Sequence, residues 1–165
     1  YEPAVARERG YRTELEHESL PIRNEWIIRT QPTVEGGYEA ASRILALKDR
    51  PDSIWAYNDV VAVGAIRAAH QLGYHVPRDL SIVGYDDSAI ASLVQPQLTT
   101  FHHNDFEIAA TGTRLLLEKV IPAGHGAKTW HELFRPKLVV RESCGGVPGL
   151  CEDIEPLSVL APQYG

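Results

Sequence analysis

The sequence predicts an α/β protein, a mostly parallel sheet with helices on both faces. Segments with a helical apolar period alternate with short apolar runs, at the spacing of successive strand–helix units. Two of those runs, Ile54-Trp55-Ala56-Tyr57 and Leu80-Ser81-Ile82-Val83-Gly84-Tyr85, each end in a polar pair, Asn58-Asp59 and Asp86-Asp87. The stretch between them, Asp59 to Leu72, is almost wholly apolar and stops at Gly73, a residue suited to a left-handed helix end.

In chain order, Pro3 to about Glu18 reads as a polar amphipathic helix with Val5, Tyr11 and Leu15 on its inner face. Trp26-Ile27-Ile28 reads as a short buried strand. Thr33 is placed to cap a helix reaching about Leu47, with Tyr38, Ala41, Ile44 and Leu45 turned inward. Ile54 to Tyr57 is the next strand. The Ala- and Val-rich helix from Asp59 follows, apolar on more than one side. One side packs on the sheet, and the other suits a partner subunit. Leu80 to Tyr85 is a third strand and Leu98 to Phe101 a fourth. Phe106 to Ile121 forms a long helix with Ile108, Leu115, Leu116 and Val120 on one face. Gly112 inside it implies close packing, because glycine there costs about 1 kcal/mol against alanine. Pro122 to Lys128 is a polar turn, and His131 to Phe134 and Leu138 to Val140 are two short strands. Beyond Ser143 the period dissolves, and the Gly/Pro-rich tail reads as loosely draped.

A chain of 165 residues with 44% hydrophobic and 23% charged content can bury a core of its own. Its longest apolar runs are far too short to cross a bilayer. Tyr1-Glu2-Pro3-Ala4 has neither a basic leader nor an apolar stretch, and the lack of any Met points to a true N-terminus upstream of Tyr1. The net charge is −6, and four acids from Glu142 onward leave the body near −2. No basic stripe is present, which argues against direct contact with nucleic acid. Cys144 and Cys151 are read as free thiols, since a bridge between them would close a tail loop and not staple a core. Free thiols fit a reducing compartment.

In an open parallel sheet, ligands bind in the crevice beyond the carboxyl ends of the strands. The polar pairs at 58–59 and 86–87 hold an amide and a carboxylate over that crevice. Asn offers donor and acceptor together, and an ionised Asp accepts from hydroxyls, so the pair suits a neutral, hydroxyl-rich small molecule. Asn58 could instead cap the helix that follows, but Asp59 is the alternative cap, which leaves Asn58 for the ligand. Tyr57 and Tyr85 read mainly as core, and Asp87 as structural.

Enzyme and metal readings fare worse. His102-His103 lie on an extended segment, where neighbours point to opposite faces, so they do not share an ion. Asp86-Asp87 lacks a third ligand at useful spacing. Ser88 and Ser143 have neither a nucleophile-elbow context nor a base. No phosphate-cradling glycine loop is present. No cofactor, no metal and no catalytic residue is therefore assigned.

Further motifs accompany the two strand ends. Arg7-x-x-Gly10-Tyr11 lies on the first helix, Pro96-Gln97-Leu98-Thr99-Thr100 opens the fourth strand, and Leu138-Val139-Val140-Arg141-Glu142-Ser143 closes the ordered part. This series, in order and spacing, resembles the effector-binding domain of the LacI/GalR family of bacterial transcription regulators, a periplasmic-binding-protein-like type I fold, over about Ala6 to Ser143. The resemblance implies that Arg7, Asn58 and Asp86 contact a sugar-like effector, with His103 near the crossover between lobes. It places Pro32 where many members set an aromatic ring against the sugar, a departure that puts a stacking contact in doubt.

The resemblance further implies a homodimer through Val60, Val63 and Ile66 on the apolar helix and through Leu93 and Val94. It implies a cytoplasmic protein with no membrane contact, whose DNA binding resides in a helix-turn-helix domain outside this chain. On this reading residues 1–103 form a C-terminal lobe and 104–143 a crossover helix and strands shared with a mostly absent first lobe. Residues 144–165 form an irregular tail. The alternative is a periplasmic sugar-binding protein of a transporter, a monomer with an export signal.

Overall fold

Helix α3 (Asp59–Gln71) anchors the fold, because its small residues let other elements approach from several directions. Ala62, Ala65, Ile66, Ala68 and Ala69 are all buried in the main core cluster. The computed structural model describes residues 2–120, 132–146 and 151–152. α1 (Glu2–His17) precedes a 3-10 turn at Asn24–Trp26, then α2 (Val34–Leu45), strand β1 (Ser53–Trp55) and α3. β2 (Ser81–Val83), α4 (Ala89–Leu93), β3 (Thr100–His102), α5 (Asp105–Leu115), a π-helical turn (Leu116–Val120), β4 (Lys137–Val139) and β5 (Cys151–Glu152) follow.

α2 lies along α3 and contributes Ala41, Ile44 and Leu45 to the core, with Tyr38 packed at its edge. Its start is set by Thr33, whose side chain accepts the Gly36 N–H at 3.0 Å. Thr33→Ala removes that acceptor and should lower stability by about 1 kcal/mol, measurable as a lower denaturant midpoint with an unchanged slope. α3 ends as expected, with Leu72 as its cap and Gly73 at φ +82°.

β1 and β2 pair in parallel, Ser53 with Ser81 and Trp55 with Val83. A parallel bridge from Val83 to Thr99 carries the sheet on to the β3 segment. β3 then pairs antiparallel with β4, Thr100 opposite Val139 and His102 opposite Lys137. Leu80, Ile82 and Leu98 bring the sheet side of the core to essentially zero exposure. Ser143 closes this side: its hydroxyl donates to the Ile82 carbonyl at 2.5 Å and accepts the Thr99 N–H at 2.9 Å. A buried serine with both partners met is a staple between strands and not a stray polar group.

Several expectations fail for identifiable reasons. Trp26-Ile27-Ile28 is not a strand; Trp26 ends the 3-10 turn, and its indole N–H donates to the Asp49 carbonyl at 3.0 Å. Three apolar residues are too few to tell a strand from a packed turn. Val5 is exposed, whereas Tyr11 and Leu15 are half-buried. α5 buries no residue among those described, and an added Cβ at Gly112 meets nothing within 4 Å. Its apolar period is real, but among the described residues nothing buries Ile108 or the following Leu116, which stay 38% and 49% exposed. Residues 132–134 form no strand, and His131 lies outside the described residues, as do Val120's side chain, Ile121 and the 122–128 turn. Part of the tail is more ordered than its composition suggests, since β5 pairs antiparallel with β4.

Candidate ligand-binding site

The two strand ends do come together, and backbone hydrogen bonds set their register. Beyond β1 the Ala56 N–H donates to Val83, and the Asp59 N–H donates to Tyr85, at 2.9 Å each. Beyond β2 the Gly84 N–H donates to Thr99 at 2.9 Å and the Asp86 N–H to Phe101 at 3.0 Å. The 57–59, 85–87 and 101–103 segments are thereby laced side by side at one edge of the sheet.

The cap assignment is the reverse of the expected one. Asn58 is the N-cap of α3, its Oδ1 accepting the Val61 N–H at 3.0 Å. Asp59 instead points inward and is 1% exposed. Its carboxylate accepts from the Thr100 hydroxyl at 2.6 Å, the Ser88 hydroxyl at 2.9 Å and the Ser88 N–H at 2.7 Å. A buried carboxylate persists only when its lone pairs are met in this way. Capping thus uses the oxygen of Asn58 and leaves its amide N–H groups as donors.

Arg7 reaches the same place from α1. Its Nη1 donates to the Tyr57 carbonyl at 2.5 Å, and its guanidinium lies 3.8 Å from the Tyr85 ring centre and 4.6 Å from that of Tyr57. Such stacking on two rings fixes a long side chain and leaves several N–H donors unspent. Tyr57 and Tyr85, core residues by type, are only half-buried and serve as the bed for Arg7. Their position, each directly before a strand-end polar residue, was the signal for that role.

Asp86 is 40% exposed and sits at φ +111°, turned out of the sheet. Burial, and then the Asp59 carboxylate, push its pKa up, while Arg7 and His103 pull it down. His103 Nε2 stands 3.6 Å from Asp86 Oδ1, within ion-pair reach but long for a hydrogen bond. The His103 ring lies against Tyr85 with centroids 5.6 Å apart, and its Nδ1 is 3.1 Å from Asp105. Asp87 is structural, paired with Arg141 at 2.6 Å. Arg141 belongs to a quoted motif, yet nothing in its local sequence marked it as the partner of Asp87.

Arg7, Asn58, Asp86 and His103 therefore gather at one sheet edge, with N–H donors from Arg7 and Asn58 and a carboxylate acceptor from Asp86. Nothing there is arranged as a nucleophile with its base. Of the expected dimer residues, Ile66 is 2% exposed within the chain's own core, a correction, since a residue facing into one's own sheet cannot face a partner. Val60, Val63 and Val94 are half-buried, and Leu93 is 81% exposed. Pro32 is exposed.

Comparison with known proteins bears on the family and the fold. Residues 1–144 match the model of the periplasmic binding protein-like domain. The transcriptional repressor PurR of Yersinia pestis bv. Antiqua is 36% identical over 142 residues, 86% of this chain and 41% of the repressor. Among solved structures, a regulatory protein of the LacI family from Chloroflexus aggregans superposes with a TM-score of 0.75 at 31% identity, over 84% of this chain and 50% of its own. A LacI family regulator from Enterococcus faecium with bound ribose gives 0.70 at 27%, over 84% and 51%. The chain thus spans about two fifths of the length of the curated relatives it matches.

Proposed function

Since the chain belongs to the periplasmic binding protein-like domain family, as the effector-binding part of a LacI/GalR-type regulator, we propose that it senses a neutral, hydroxyl-rich small molecule and transmits its binding to DNA-binding heads outside these residues. The observation that carries this reading is the convergence of Arg7, Asn58 and Asp86 at the carboxyl ends of β1 and β2. Donors from Arg7 and Asn58 hold ring or hydroxyl oxygens, and Asp86 accepts from a hydroxyl. His103 contributes from the β3 side. The ribose held by the E. faecium relative is of this chemical class.

The ligand acts by preferring one arrangement of the protein, so its contacts must differ between two states. The regulator works as a homodimer, with Leu93, Val60, Val63 and Val94 as the candidate surface. Its compartment is the cytoplasm, where operator DNA is found. Among the described residues no helix is long and apolar enough to cross a membrane. The repressor relatives favour this reading over periplasmic transport, and over an enzyme.

A thermal-shift screen of D-ribose, cellobiose, other neutral sugars and nucleosides tests it. A ligand at a hundred times its Kd adds about 2.7 kcal/mol, which for a chain of this size raises Tm by roughly 5–10 °C. The reading predicts such a shift from at least one neutral polyol or nucleoside, lost in Arg7→Ala. A shift only from charged nucleotides, or from none of these compounds, overturns it.

A further inference from the structure

Asp87 makes contacts that the ligand reading leaves unused. It follows Asp86 directly, and both residues hold positive φ, 111° and 51°. Two successive non-glycine residues in that region persist only where their surroundings fix them. For Asp87 the surroundings are the two strands of the antiparallel pair. Its Oδ1 accepts from Arg141 Nη2 at 2.6 Å, and its Oδ2 lies 3.1 Å from His102 Nδ1. Its backbone N–H donates to Thr100 Oγ1 at 3.3 Å. His102 is the last residue of β3, and Arg141 stands two residues past the end of β4. Arg141 is itself pinned, Nη1 to the Leu98 carbonyl and its backbone N–H to Thr99 Oγ1, both at 2.8 Å.

β3 is the path by which the chain leaves the sheet for α5, and β4 is the path by which it returns. α5 buries no residue among those described, so these strands are its visible attachment to the body. One carboxylate, with an oxygen for each strand, stands where the ligand loop meets both. A single carboxylate has the acceptor capacity for two such partners at once.

We propose that Asp87 is a positioning residue acting through Asp86: its carboxylate ties the ligand-bearing loop to β3 and to β4, so that a ligand gripped by Asp86 pulls on both strands together. This rests on the reading of Asp86 as a ligand contact. A staple of the hydrophobic core would make a different prediction, because the core cluster is built around α3 and does not include Asp87.

Residue-resolved amide exchange on the ligand-free chain separates the two. Asp87→Ala should speed exchange at Asp86, whose N–H donates to Phe101, and at Arg141, whose N–H donates to Thr99, by tenfold or more. Ala65 and Ile66 in α3 should keep their wild-type rates. Asp87→Asn keeps the shape and an acceptor for Arg141, and should restore protection at Arg141. If Asp87→Ala does not fold, His102→Phe cuts only the β3 arm and should leave Arg141 protected while freeing Asp86. Unchanged rates at Asp86 and Arg141, or a uniform rise that includes α3, overturn the proposal. Failure of the ligand reading shows separately, as an unchanged Kd for Asp86→Ala in calorimetry, whereas the exchange rates at Asp86 and Arg141 in the ligand-free chain report on Asp87 alone.

Discussion

Replacing Asp86 with alanine is expected to weaken effector binding between about tenfold and a few hundredfold while leaving the fold intact. A hydrogen bond to a charged group is worth about 1.5–3 kcal/mol, and each 1.4 kcal/mol is tenfold in affinity. Asp86 supplies a carboxylate acceptor at the strand ends, where the other two carboxylates are already engaged: Asp59 with Thr100 and Ser88, and Asp87 with Arg141. The fold should survive because the Asp86 side chain is 40% exposed, its approach to His103 is long at 3.6 Å, and Arg7, whose charge it feels, is held independently by Tyr57 and Tyr85. Calorimetry with the full-length regulator, using the compound that gives the largest thermal shift, provides the measurement. An unchanged Kd sinks the assignment. The same carboxylate sets a pH dependence. Burial raises its pKa above 3.8, so its ionised, accepting form is lost at a higher pH on acidification than for an ordinary aspartate. Affinity should fall over that range in the wild type and stay flat in the variant.

The strand ends were legible because their chemistry is local. A polar pair closing an apolar run marks both the end of a strand and the edge where ligands sit, and Asn58 and Asp86 lie there. Which member of a pair caps and which turns inward is not local. Asn58 and Asp59 both suit a cap, and the choice falls to Asn58 because Thr100 and Ser88, some 30–40 residues on, offer Asp59 three donors. The same holds for Arg141, whose partner Asp87 is 54 residues away. Tyr57 and Tyr85 look like core residues by type and alternation, and only the arrival of Arg7 from α1 gives their faces a use. α5 shows the opposite failure. Its periodicity predicts a buried face, but periodicity states only that a face is apolar and says nothing of what covers it.

Gly64→Ala is expected to destabilise the protein by about 2–4 kcal/mol, against the direction that helix propensity alone predicts. Alanine in a helix interior is favoured over glycine by about 1 kcal/mol, so a residue in mid-α3 would normally gain. Here the added Cβ would lie 2.1 Å from the Val34 carbonyl oxygen and 2.6 Å from the Tyr38 nitrogen, both backbone atoms of α2 or its neighbours. No side chain can rotate away from such a contact. The arrangement is reciprocal, since a Cβ on Gly37 would lie 2.1 Å from the Val61 oxygen. To admit one methyl group, α2 and α3 must move apart, which loosens the packing of Ala41, Leu45, Ala65 and Ala68 between them. Gly112→Ala in α5 is the control, because nothing lies within 4 Å of its added Cβ and propensity alone should act. Thermal unfolding should therefore show a fall of roughly 4–16 °C for Gly64→Ala and no fall for Gly112→Ala. Equal effects of the two would show that the glycines do not set the distance between α2 and α3. α3 also carries Asn58 and Asp59 at its start, so a helix displaced by Gly64→Ala should weaken ligand binding as well as stability, without any change to a residue that touches the ligand.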